Sequence, residues 1–233
     1  MVEMADRKSL DVVQFDAETV FDPGVVVPDG AIRGDSYVRR RDYSAVRPGM
    51  IMFADMCLHR EYTVSPCLAM IRRDLLNREG IFFPEGVVHE DVAFMARVLF
   101  AADRVAHCPS RFYRRFVHAG STMTGRLRVE NLRGCLAALR QYRIAGSGPN
   151  LPRRVRRALW HEIVRCKWQI RRIADRLDIT ESSASEPLES WERVMLAQAF
   201  SRPFLERLTD AFHCLQDNGL AYTVKRIVGG RRQ

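Results

Sequence analysis

A chain of 233 residues, 47% hydrophobic and 28% charged, has the balance of an ordinary globular protein, which excludes disordered and fibrous classes. It is long enough for one sizeable core with a helical appendage and short for two full domains. The net charge of +9 points to an anionic partner, whether nucleic acid, a phosphorylated substrate or a lipid surface, and does not choose among them.

Leu10 to Phe15 (LDVVQF) is a short Val-rich run between charged residues and reads as a buried strand. Residues 16 to 49 carry so many Pro and Gly that a loop is expected, with at most a brief strand at Val25 to Val27. Met50, Phe53, Ala54, Cys57 and Leu58 recur at helical spacing and predict a short helix. Ser65-Pro66 has the form of a helix start leading through CLAMIRRDLLNRE to Gly80. After the break at Pro84-Glu85-Gly86 a second helix should run from about His89 to Ala102, with Val92, Met95, Ala96 and Leu99 inward. Arg104 to Cys108 and Phe112 to Phe116 read as two short strands.

Beyond residue 126 the pattern changes to long helices: Leu127 to Ile144, Pro152 to Leu177 and Leu188 to Leu215, separated by GSGPN and TESSASEP. Six cysteines (Cys57, Cys67, Cys108, Cys135, Cys166, Cys214) show no CxxC pair and no zinc-ligand histidine spacing, so reduced thiols are expected. The N-terminal stretch has no apolar h-region, and no apolar run reaches the roughly 18 residues a membrane span needs. The expected location is the cytoplasm.

Three ordered blocks carry most of the information: MIRRDLL, then GIFFPEGVVHEDVAF, then ADRVAHCPSRFYRRFVHAGSTMT. Over residues 10 to 125 the chain resembles the family 2, GT-A type glycosyltransferases of bacterial cell-surface polysaccharide synthesis. The resemblance implies a helix-rich α/β fold, with a partial GT-A-like sheet and helices over 1–125 and an all-helical extension over 126–233. It also implies an inverting transfer of a sugar from a nucleotide-sugar to a glycan or lipid-linked acceptor.

In that family the Asp of the ED pair is the base that takes the acceptor hydroxyl's proton, which falls on Asp91, with Glu90 beside it. A position at a helix N-terminus should favour the ionised form of Asp91 through the helix dipole. Acids in a first helical turn are also common without any catalytic role, so the resemblance is what singles out this pair. His89, Arg114, Arg115, His118 and Ser121 are the expected substrate-binding residues, since guanidinium groups and hydroxyls suit a diphosphate leaving group. An exposed basic strand end would account for Arg114 and Arg115 equally well. No metal ligand is assigned, and His89 and His118 lack the carboxylate or Cys spacing a metal would need.

The departures from the family are as informative. The opening VSVIIP.YN strand, the DDGS-like turn and the D-x-D pair are absent, although the complete family enzyme is expected to use Mg or Mn held by those carboxylates. The chain therefore reads as the acceptor-side part of such an enzyme, inactive in isolation, with LDVVQF and the later short strands left with unpaired edges. The alternative is a non-catalytic scaffold or binding module derived from such an enzyme; nucleic acid has only net charge in its favour.

The helix from Pro152 to Leu177 has an apolar stripe of Val155, Leu159, Ile163, Cys166, Ile170, Ile173 and Leu177, flanked by Trp160 and Trp168, with Arg on the remaining surface. Such a helix can pack on a core with its Arg face solvated, or lie peripherally on the inner face of an anionic membrane.

Overall fold

The computed structural model describes residues 1–23, 34–118, 127–179 and 188–201. Its fold is helix-rich α/β: a three-stranded mixed sheet and seven helices among the described residues. After the helix α1 (Val2–Arg7) comes β1 (Val12–Phe21), the middle strand, antiparallel to β2 (Ala69–Ile71) and parallel to β3 (Val105–Val117). An unpaired edge at LDVVQF is not observed, since Val12 faces Ile71 on one side and Val105 on the other, and the edges of the sheet are β2 and β3.

Both faces of β1 are covered, which is why its first two residues, Val12 and Val13, are both apolar rather than alternating. Val12 packs into the helical core, whereas Val13 and Ala106 meet Ala5 and Leu10 on the opposite face. Arg104 to Phe116 is not two strands. One strand runs through, and it absorbs extra residues where the register slips between Phe15 and Asp16 and again between Asp16 and Ala17. Pro109, with no N–H to give, lies in the first of these bulges.

The segment from Ser65 to Gly80 also departs from the single helix predicted. It forms a 3₁₀ turn (Pro66–Leu68), then β2, then α3 (Arg73–Arg78). Proline at the first position starts a helical turn as expected, but Ala69 to Ile71 gain more by pairing with β1 than by continuing it. Such tertiary pairing overrides local propensity.

The helical part matches its prediction closely. α2 (Gly49–Leu58), α4 (Glu90–Ala101), α5 (Val129–Gly146) and α6 (Arg153–Leu177) pack as neighbours in a ring, α4 against α2 and α5, and α6 against α5 and α2. α7 (Ser190–Phe200) closes over α5 and α6. One continuous apolar cluster runs from Val12 and Phe53 through Leu99, Leu136 and Tyr142 to Ile170 and Leu196. Two glycines permit the closest approaches. A Cβ at Gly49 would stand 2.1 Å from the Leu99 carbonyl oxygen, and one at Gly134 only 1.8 Å from that of Val88.

α6 buries its predicted stripe: Val155, Leu159, Cys166, Ile170 and Ile173 all lie in the core. A helix lying flat with that stripe in a bilayer is therefore ruled out. No described helix is long and apolar enough to cross a membrane. The expected strand at Val25 to Val27 and the expected helix beyond residue 201 lie outside the described residues.

Candidate active site

His89, Glu90 and Asp91 come together at the head of α4, as the sequence suggested. His89 caps the helix with φ 75°, a left-handed conformation that costs a side chain roughly 1–2 kcal/mol and that persists because its neighbours hold it. Three contacts do so. The Val88 N–H donates to the Glu130 carbonyl at 2.9 Å, the Val88 carbonyl rests on Gly134, and Phe83 stacks on Phe94 with ring centroids 3.9 Å apart. The entry to α4 is thus seated on α5.

Asp91 is half-buried. Burial first, and then the neighbouring Glu90 carboxylate, raise its pKa above the ordinary aspartate value; His89 and the backbone N–H groups of Val92 and Asp91 itself pull the other way. The helix-dipole expectation is corrected in sign: desolvation outweighs the first-turn amides. For a proton acceptor the change is useful, because a carboxylate of higher pKa is a stronger base.

Arg114 and Arg115 lie on the outer half of β3 and are engaged there. Arg114 Nε donates to Glu18 Oε2 at 3.1 Å, and the Arg115 guanidinium stands 5.0 Å over the Tyr37 ring. Burial lowers the Arg115 pKa. His118 is exposed at the end of β3, and Ser121 lies outside the described residues. The 3₁₀ turn at 66–68 packs against both α4 and β3. The shallow hollow between α4 and α5, lined by residues such as Arg97, Phe100 and Ile144, includes none of the predicted site residues.

Sequence reasoning missed a buried charged cluster in the sheet. Asp16 Oδ1 accepts from Arg39 Nη1 at 3.1 Å and from His107 Nε2 at 2.8 Å, and Arg39 Nη1 also donates to the Phe15 carbonyl at 2.8 Å. All three side chains are almost wholly buried. Burial lowers the pKa of His107, against the opposing pull of Asp16, whose carboxylate accepts from Nε2. No periodicity could reveal this group, because Arg39 lies in a loop and meets Asp16 only through the chain's return.

The sequence has no D-x-D, and among the described residues no three His, Cys, Asp or Glu side chains converge.

No family model matches the chain, and no curated protein matches it. Among solved structures, S. aureus TarS 1-349 in complex with UDP-GlcNAc aligns over 98% of this chain and 62% of that one, at 14% identity and TM-score 0.46. A further structure of S. aureus TarS 1-349 (TM-score 0.44) and one in complex with UDP (TM-score 0.46) align over 100% of this chain, again at 14% identity. The chain spans 62% of the length of the TarS chains to which it is similar.

Proposed function

We propose that this chain carries the acceptor side of an inverting sugar transferase, with Asp91 as the base. The carrying observation is the half-buried Asp91 carboxylate at the first turn of α4, seated on α5 through Gly134 and Val88. In the proposed step Asp91 takes the proton of an acceptor hydroxyl while that oxygen bonds to the sugar's anomeric carbon. The bond from that carbon to the diphosphate oxygen breaks, and a nucleoside diphosphate leaves. Glu90 keeps the base strong by its charge. Arg114, Arg115, His118 and Ser121 are the proposed contacts to the leaving diphosphate.

The ordered sequence blocks around residues 68 to 124 support this reading. The donor is a nucleotide-sugar and the acceptor a glycan or lipid-linked sugar, consistent with cell-envelope polysaccharide assembly at the cytoplasmic side. A divalent cation is expected for the complete family enzyme, and no residue of this chain is assigned to it. The donor-binding strands are proposed to lie outside these 233 residues, and the chain alone is expected to release no nucleotide.

One observation favours the second reading, a non-catalytic scaffold: Arg114 and Arg115 are already engaged by Glu18 and Tyr37. The test is nucleoside diphosphate release from a panel of nucleotide-sugars by the full natural polypeptide or assembly containing this chain. Turnover that falls about 10²–10⁴-fold on Asp91→Asn is expected. Undiminished turnover in that variant would establish that the base lies elsewhere.

A further inference from the structure

Between Glu130 and Glu162 the chain has no acidic residue and seven arginines. This stretch forms most of α5, the turn after it and the first turns of α6. Within it Arg153, Arg156, Arg157 and Trp160 follow at i, i+3, i+4 and i+7, which places them on one face of α6. All four are exposed, Trp160 at 36%. Arg154, off this face, is paired with Asp55 at 3.2 Å. No ion pair engages Arg153, Arg156 or Arg157 among the described residues.

Three like charges in the opening turns of a helix oppose its dipole, where acids would be favoured. The arrangement is intrinsically unfavourable and is relieved by an anionic partner. The apolar stripe of α6 is committed to the core, and this charged face is left exposed.

We propose that the Arg153–Arg156–Arg157–Trp160 face docks the protein edge-on against an anionic phospholipid surface, with the guanidinium groups on headgroup phosphates and the Trp160 indole at the headgroup level. Charge complementarity and the exposed indole carry the choice, because indole rings favour the membrane–water interface. The face is about 10 Å long. Three phosphate contacts fall short of the roughly 6–10 that typify salt-sensitive nucleic-acid binders. This inference is independent of the glycosyl-transfer reading.

Flotation of the full chain with vesicles rich in phosphatidylglycerol, and with pure phosphatidylcholine vesicles, tests it. Binding to the anionic vesicles alone is expected. The triple variant Arg153→Gln, Arg156→Gln, Arg157→Gln should lose affinity by about two orders of magnitude, at roughly fivefold per arginine, with its circular dichroism unchanged. The variant also separates this face from the basic residues near Gln233. Trp160→Phe should abolish a blue shift of indole emission on vesicle binding while leaving the other two Trp signals in place. Absence of binding to anionic vesicles, equal binding by the triple variant, or tighter binding to duplex or single-stranded oligonucleotides than to vesicles would each overturn the proposal.

Discussion

The carbonyl oxygen of Val88 lies where a side chain on Gly134 would have to begin, 1.8 Å from the position of a Cβ. Gly134 is mid-helix in α5, where glycine costs up to about 1 kcal/mol relative to alanine. Gly134→Ala should nevertheless destabilise the protein by roughly 1–3 kcal/mol, because the backbone of Val88 must move. Gly146→Ala is the contrast: its Cβ would meet only Leu159 Cδ1 at an ordinary 3.8 Å. That change should be neutral or stabilising, and urea unfolding of both variants checks the pair of outcomes.

Asp91 should weaken the fold at neutral pH. Its folded pKa is raised above the unfolded value, so between the two the native state holds more protons than the unfolded one. Stability contributed by the protonated form is therefore lost as pH rises through that window. Asp91→Asn is expected to raise the melting temperature at pH 7 and to leave it unchanged below the unfolded pKa of about 3.8. Thermal melts across pH 3 to 8 give the sign, and an Asn variant less stable at pH 7 would contradict it.

The Asp16–Arg39 pair should show strong coupling. Asp16→Ala leaves the Arg39 guanidinium buried without its partner and should cost about 3–5 kcal/mol. Asp16→Leu combined with Arg39→Met should cost distinctly less than the two single changes together. A double-mutant cycle by denaturant unfolding measures the difference.

His107 adds an acid-side dependence of the opposite sense to that of Asp91. Its folded pKa is lowered, so the unfolded chain binds the additional proton first, and stability falls as pH drops below about 6.5 and through the folded value. His107→Gln should flatten this limb in pH-dependent melts.

Thiol labelling of the native protein should reach Cys67 well before Cys57, Cys135 or Cys166. Cys67 is exposed, whereas burial pushes Cys135 up to about 11 and raises Cys57 and Cys166 as well. Mass spectrometry after brief alkylation reads the order.

The helices were legible because their stripes depend on spacing within one segment. α4, α5 and α6 begin and end within two residues of expectation, and the HED triplet heads α4 as its first-turn acids suggest. What could not be read were features made by distant segments. β2 interrupts a well-punctuated helical sequence because Val12 and Val13 offer Ile71 and Met70 a ladder. The raised pKa of Asp91 depends on how deeply α4 is packed, and the Asp16–Arg39–His107 cluster depends on a loop folding back over β1.

The parallel ladder that joins Val12 to Val105 sets an order of events during synthesis. The Val-rich start of β1 leaves the ribosome long before β3 exists, and β2 supplies only three residues of shelter in the meantime. Nascent chains halted before Val105 should need a chaperone on that segment, and those extended past Val117 should release it.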